Sequence, residues 1–190
     1  MAKWNIVPWS QAAQIAEQAG MPREDWPETE MAPAPWIAGL RRDGRSLDAI
    51  AAMGSALPRF EAIAWAASVL APLCDHEKAA PARRQLMAAA QRWIDEPTDD
   101  HRRSIFALAE AGDDDWPETL LGYAIFFSGG SIAPEDIDPV QPDPSTAGRL
   151  AAGAVQAAAI AQGQPQRVLT SALDLAEKVA VSGTKALENR

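Results

Sequence analysis

Residues 57–73, LPRFEAIAWAASVLAPL, decide how the chain folds. Pro58 suits the first position of a helix, where its missing N–H costs nothing. Glu61 falls in the first turn, where negative charge favours the helix N-terminus. From Ala62 to Leu73 the only polar side chain is Ser68. Phe60, Ile63, Ala64, Ala67, Leu70 and Ala71 share one helical face, and Ala62, Trp65, Ala66, Val69 and Leu73 share another. A helix that is apolar all round has to be surrounded by protein, and this one is too short to cross a bilayer. The stretch therefore predicts the central helix of a helical domain, with Pro72 bending or ending it.

Composition agrees. The 47% hydrophobic share is mostly alanine, the best helix former, with few β-branched residues to favour strands. At 190 residues the chain fits one domain with a sizeable core. The net charge of −9 is unevenly spread: residues 1–95 carry 10 Lys and Arg against 11 Asp and Glu, residues 96–190 carry 7 against 15. Without a basic stripe such a chain is a poor match to nucleic acid or to anionic membrane surfaces, so neither is expected as a partner. Cys74 is the single cysteine, which excludes an internal disulfide and fits a reducing compartment. The stretch after Lys3 lacks a signal-like apolar run, so a cytoplasmic protein without membrane insertion is expected.

Working outward, Ser10 is placed to cap a short helix ending at Gly20. Pro22, Pro27, Pro33 and Pro35 then forbid a long helix. A helix from Pro35 to Arg42 is followed by one capped by Ser46, with Leu47, Ile50, Ala51, Gly54 and Leu57 on one face. Pro81 opens the next helix, with Leu86, Ala89, Ala90, Trp93 and Ile94 inward. Thr98 caps its successor, which turns Ile105, Leu108 and Ala109 inward. Asp115, with Glu118 three residues on, resembles a capping box. Residues 128–145, SGGSIAPEDIDPVQPDPS, carry no helical pattern, and Ile132, Ile137 and Val140 are candidates to tack this long loop down. Ser145 or Thr146 caps an alanine-rich helix to Ala161, whose glycines let a neighbour approach closely. Pro165 opens the last helix, and residues 183–190 are expected to fray. The sum is an all-α protein: an irregular multi-helix bundle, or a HEAT-like stack of antiparallel pairs, around helix 57–73. Residues 1–45 are read as an N-terminal helix and Pro/Trp-rich segment packed on a core domain of residues 46–182.

Reactive side chains are scarce. His76 and His101 are the only histidines, and Cys74, Asp75 and His76 are adjacent instead of spaced as a chelate. The acidic groups Glu96, Asp99, Asp100 and Asp113–Asp115 sit where helix caps and dipoles want them. Ser128-Gly129-Gly130 lacks the lysine of a phosphate loop, and Gly130 fits a left-handed helix end. No cofactor, metal or catalytic residue is expected. The string DWPET occurs at 25–29 and at 115–119; it reads either as an old duplication or as two helix starts with the same chemistry.

Seven tryptophans are the most informative excess. Trp65 and Trp93 fall on inner faces. Trp4, Trp9, Trp26, Trp36 and Trp116 lie at helix edges, where they serve either as interface anchors or as nails that hold loops to a core. Arg41, Arg42 and Arg45, with Arg83, Arg84, Arg92, Arg102 and Arg103, make a basic face that can meet an oppositely charged partner or be spent on internal ion pairs with Asp95, Asp99 and Asp100.

The segments LPRFEAIAWAA, QRWIDEPTDDHRRSIFALAEAG, GYAIFFSGGSIAP and AGRLAAGAVQAAA resemble an uncharacterised bacterial family of small Ala- and Trp-rich helical proteins, over roughly residues 40 to 180. The resemblance implies a bacterial origin and, for some members, a place near genes of contractile (type VI) secretion systems. It transfers no catalytic residue. The main expectation is a non-enzymatic protein that binds another protein as an adaptor, chaperone or scaffold. One alternative is an enzyme or small-molecule binder with a pocket near Tyr123, Ser128 and His101. Another is self-assembly, with helix 147–161 buried against a second copy.

Overall fold

The computed structural model describes residues 3–28, 30–74, 79–134 and 136–188. These residues form nine α-helices: α1 (Ala12–Gln18), α2 (Pro33–Arg42), α3 (Ser46–Ala56), α4 (Arg59–Cys74), α5 (Pro81–Asp95), α6 (Asp99–Glu110), α7 (Pro117–Phe126), α8 (Thr146–Ala161) and α9 (Pro165–Ser182). No strand occurs among the described residues. Prolines open α2, α5, α7 and α9, where the first N–H would be unpaired anyway.

The core is organised on two helices. In α4, residues Ala62, Ile63, Trp65 and Ala66 have no exposed surface. Trp65 also donates its indole N–H to the Ala172 carbonyl of α9 at 2.9 Å. Enclosure runs from Ala62 to Leu70, with Ser68 half-buried, and resumes only at Cys74. Ala71 and Pro72 are exposed, so the last turn of the predicted all-buried stretch reaches the surface, where proline's missing donor costs least. The second organising helix is α8, which packs against α3, α4, α7 and α9. Its approach to α3 is backbone on backbone. A Cβ added to Gly54 would stand 2.5 Å from the Gly148 carbonyl oxygen, and one added to Gly148 would stand 2.5 Å from that of Gly54.

This packing chooses between the two architectures. In a solenoid each repeat meets only its neighbours. Here α8 returns to α3 and α4, far back in the chain, so the fold is an irregular bundle. The buried side of α8 is covered within the chain, while Ile160 on the same helix is exposed.

The chain ends are also more integrated than expected. Ala12, Ile15 and Ala16 of α1 belong to the same apolar cluster as Trp65. Asn5 and Ile6 donate their N–H groups to the Ala180 carbonyl. Where a frayed tail is expected, residues 183–187 form a 3-10 helix that lays Ala186 and Leu187 against the core, and residues 189 and 190 lie outside the described residues.

Three caps differ from the expected ones, each for a visible reason. Gln14 Oε1 accepts the Gln11 N–H at 3.0 Å, so α1 begins after Gln11 and not Ser10. The Ser46 hydroxyl is occupied by Gln166 Nε2 at 3.1 Å, and Arg45 takes the cap position of α3. Trp116 precedes Pro117 at the start of α7, while Glu118 turns inward to Arg83 with bonds of 2.9 and 3.0 Å. The two DWPET strings therefore differ in role. The second opens a helix; the first begins on the last residue of a 3-10 turn at Arg23–Asp25, with Asp25 paired to Arg45, and its Thr29 lies outside the described residues.

Candidate functional site

Thr98 begins α6, its hydroxyl accepting the His101 N–H at 3.3 Å. From that start, Asp99 is followed at helical spacings of three and four by Arg102 and Arg103, which places all three on one side. Arg102 is buried, with 4% of its side chain exposed. It donates to Asp99 Oδ1 from Nε and Nη2 (2.8 and 2.6 Å), to the Phe126 carbonyl (2.7 Å) and to the Ser131 carbonyl (2.8 Å). Arg103 donates to Asp99 Oδ2 (2.9 Å) and to the carbonyls of Ser131 and Ala133 (both 3.1 Å). Below them, Phe126 stacks on Phe106 with ring centroids 3.9 Å apart. The hydrogen bonds from Arg102 hold the Asp99 carboxyl below the ordinary carboxylate range.

These two arginines are the base of the long loop after α7. Gly130 has φ +67° and passes so close that a Cβ would lie 3.0 Å from both Arg102 Nη2 and Asp99 Oδ1. Only glycine suits that place. The neck of the loop is then stapled. Ser131 Oγ accepts the N–H groups of Ala133 and Val140 at 3.1 Å, and Ile132 donates to the Val140 carbonyl at 2.8 Å. Asp143 Oδ1 accepts the Ser145 N–H and hydroxyl at 2.8 and 2.6 Å, turning the chain into α8.

The loop is held by polar bonds to its backbone, and of the three expected anchors Ile137 and Val140 are exposed while Ile132 is half-buried. Ala133 and Pro142 are the buried contacts. Ile137 is 56% exposed and Val140 is 50% exposed, with the exposed carboxylates Asp136 and Asp138 between and beside them. A compact loop with stapled ends is a form often used for recognition.

The edge tryptophans act mainly as nails. Trp9 donates to the Ser55 carbonyl at 2.9 Å, Trp26 to the Met21 carbonyl at 2.9 Å, and Trp36 is buried. Trp4 and Trp116 are half-buried against the core. Trp4 also walls a cavity of about 560 Å³ shared with Asp174, Glu177 and Lys178. The arginines expected to face a partner are mostly spent internally. Arg41 bonds Asp174 and Glu177 at 2.6 and 2.5 Å, and Arg45 bonds Asp25 and Asp48 at 2.8 and 2.6 Å. Arg42 alone of the three is well exposed, 4.0 Å from Asp43.

Around Tyr123, Ser128 and His101 the polar groups turn to near neighbours. The Ser128 hydroxyl donates to the Ile125 carbonyl at 2.7 Å, the His101 ring meets the Glu96 carbonyl at 2.9 Å, and Tyr123 packs against Phe106. Burial raises the Tyr123 phenol above its ordinary pKa. Asp75 and His76 lie outside the described residues. Among the described residues no group of three or more His, Cys, Asp or Glu side chains is arranged to hold a metal ion. Nor is any described helix long and apolar enough to cross a membrane.

Cys74 is buried, and desolvation with the nearby Glu118 charge pushes its thiol up to about 11. Only about one thiol in a thousand is then ionised at pH 8. Iodoacetamide at that pH is expected to leave native Cys74 unmodified and to label it fully in urea, as read by intact mass.

The ion pairs expected of Arg102 and Arg103 with Asp99 form. Their hold on the loop, and the part played by Ser131, were not foreseen, because the loop carbonyls they reach are backbone groups and leave no mark in a sequence.

Fold and site together define an all-α protein that holds one acidic, partly apolar loop in a fixed shape on a buried arginine. The chain belongs to the family of unknown function DUF6931, which it matches over residues 36–180. That span contains the Arg102 clamp, the loop, α4 and α8. No curated protein and no solved structure matches the chain.

Proposed function

We propose that the protein is a non-enzymatic binding module that presents residues 132–140 to another protein. The observation that carries this is the pairing of a rigid neck with exposed apolar side chains. Ile137 and Val140 stand in water, while Arg102, Arg103 and Ser131 fix the backbone beneath them. Ordering the loop in advance lowers the entropy cost of docking. The flanking carboxylates specify the partner's chemistry: an apolar groove with a basic rim. The adaptor, chaperone and scaffold readings all reduce to this one surface. The family resemblance adds a bacterial cytoplasm, beside contractile secretion machinery, as the setting to search.

A photoreactive residue placed at position 137 or at 140 tests it. Both positions are expected to crosslink to the same protein, at a groove bordered by Lys and Arg, with capture falling several-fold in 0.5 M salt as screening predicts. The control is position 160, where Ile160 is 66% exposed. Equal capture at 160, or no discrete adduct at 137 and 140, would remove the proposal.

A further inference from the structure

A second site stands on separate observations. A cavity of about 300 Å³ lies where the start of the chain crosses the α3–α4 junction and the start of α8. Trp9, Gln18, Ser55, Arg59, Ser145 and Gly148 are among its lining residues. No carboxylate lines it, although the chain as a whole carries −9.

Its donors come from several directions. Pro58 provides the first acceptor of α4, to the Ala62 N–H, and has no side-chain group with which to cap the N–H groups that follow. At α8, Asp143 takes the N–H groups of Ser145 and Thr146, and Arg149 makes the first intrahelical bond to Ser145. The N–H groups of Ala147 and Gly148 are left without an intrahelical acceptor. Two helix N-termini therefore meet at one cavity, each with the partial positive charge that favours anions. Arg59 adds a full charge; it bonds only the Ser128 carbonyl, at 2.9 Å, and makes no ion pair among the described residues. The C-terminal end of α3 also borders the cavity, and of its last carbonyls those of Met53 and Ser55 are taken by the Leu57 N–H and Trp9 Nε1.

The independent observation is the Ser55 hydroxyl. Ser55 is 8% exposed, lines the cavity, and its Oγ has no hydrogen-bond partner; among the described residues it is the one such buried side-chain atom. An unpaired buried hydroxyl is costly, so a group is expected to meet it.

We propose that this cavity binds the phosphate group of a small phosphate monoester. A tetrahedral dianion offers acceptor oxygens in several directions at once, which suits two helix ends, a guanidinium and a hydroxyl better than a planar carboxylate does. The volume is at the small end of ligand cavities, which admits a short ester and little more.

Thermal unfolding in inorganic phosphate and in glycerol 3-phosphate, against sodium chloride at matched ionic strength, tests it. Both phosphates are expected to raise the Tm in a saturable way and acetate is not. Arg59→Gln abolishes the rise. Ser55→Ala raises the Tm of the free protein, because it removes an unsatisfied hydroxyl, yet weakens phosphate binding at least fivefold. A rise no larger than that in sodium chloride, or one undiminished in both variants, would overturn the site. A phosphoserine peptide that binds more tightly than glycerol 3-phosphate would overturn the assignment to a small ester and move the phosphate onto a partner protein.

Discussion

Trp65→Ala is expected to destabilise the protein by about 4–5 kcal/mol, the upper end of large-to-small core substitutions. Trp65 has no exposed surface, sits midway along α4, and ties that helix to α9 through the Ala172 carbonyl. Alanine would leave a cavity where α4 meets its neighbours and would lose the indole bond. Trp65→Phe keeps most of the volume and loses the bond, so its cost is expected to be about 1–2 kcal/mol. Native domains are stable by only about 5–15 kcal/mol, so the alanine variant stands near the limit of folding at all. Urea unfolding followed by far-UV circular dichroism measures both. Equal effects of the two substitutions would show that the indole nitrogen, and not the ring volume, is what matters at this site.

Gly54→Ala is the second large effect, and its sign is a contest. Helix propensity alone predicts a gain of about 1 kcal/mol when alanine replaces glycine inside a helix. Against it stands a Cβ 2.5 Å from the Gly148 carbonyl oxygen and 2.8 Å from the Ala152 Cβ. Neither is the far end of a flexible side chain, so α3 and α8 must move apart. The clash wins, and a net loss of about 2 kcal/mol or more is expected. Gly153, on the same α8, provides the control. A Cβ there meets only Leu120 Cδ1, at 3.9 Å, so Gly153→Ala is expected to stabilise by up to about 1 kcal/mol. Opposite signs for the two substitutions in urea unfolding support the close approach; a stabilising Gly54→Ala contradicts it.

The architecture was legible where burial follows periodicity. The apolar run of residues 57–73, the inward faces around Leu86 and Leu169, and the proline starts at Pro81 and Pro165 all correspond to helices in the structure. The glycines of residues 147–161 signalled close packing, and Gly148 meets the α3 backbone. The sequence could not say which helices are neighbours, because α8 reaches α3 through alanines and glycines with no distinctive partner. It misjudged polar groups whose partners are distant in the chain. Ser46 and Glu118 looked like helix caps and instead meet Gln166 and Arg83. The long loop was misread for the same reason. Its apolar residues suggested anchors, whereas its anchors are backbone carbonyls bound by Arg102 and Arg103.

A rigid helical body fixes the neck of an exposed acidic loop. Native-state hydrogen exchange reads both parts at once. The amides of α4 and α8 should exchange last and together. The Ile132 and Val140 N–H groups, bonded to the Val140 carbonyl and to Ser131 Oγ, should be protected within an otherwise irregular segment while Asp136 and Asp138 exchange freely and Ile137, with a long 3.4 Å bond to the Pro134 carbonyl, falls between. In Arg102→Met the neck protection should vanish while that of α4 stays. Neck amides that exchange at free-peptide rates in the unaltered protein, or an α8 that opens before α1, would contradict the account.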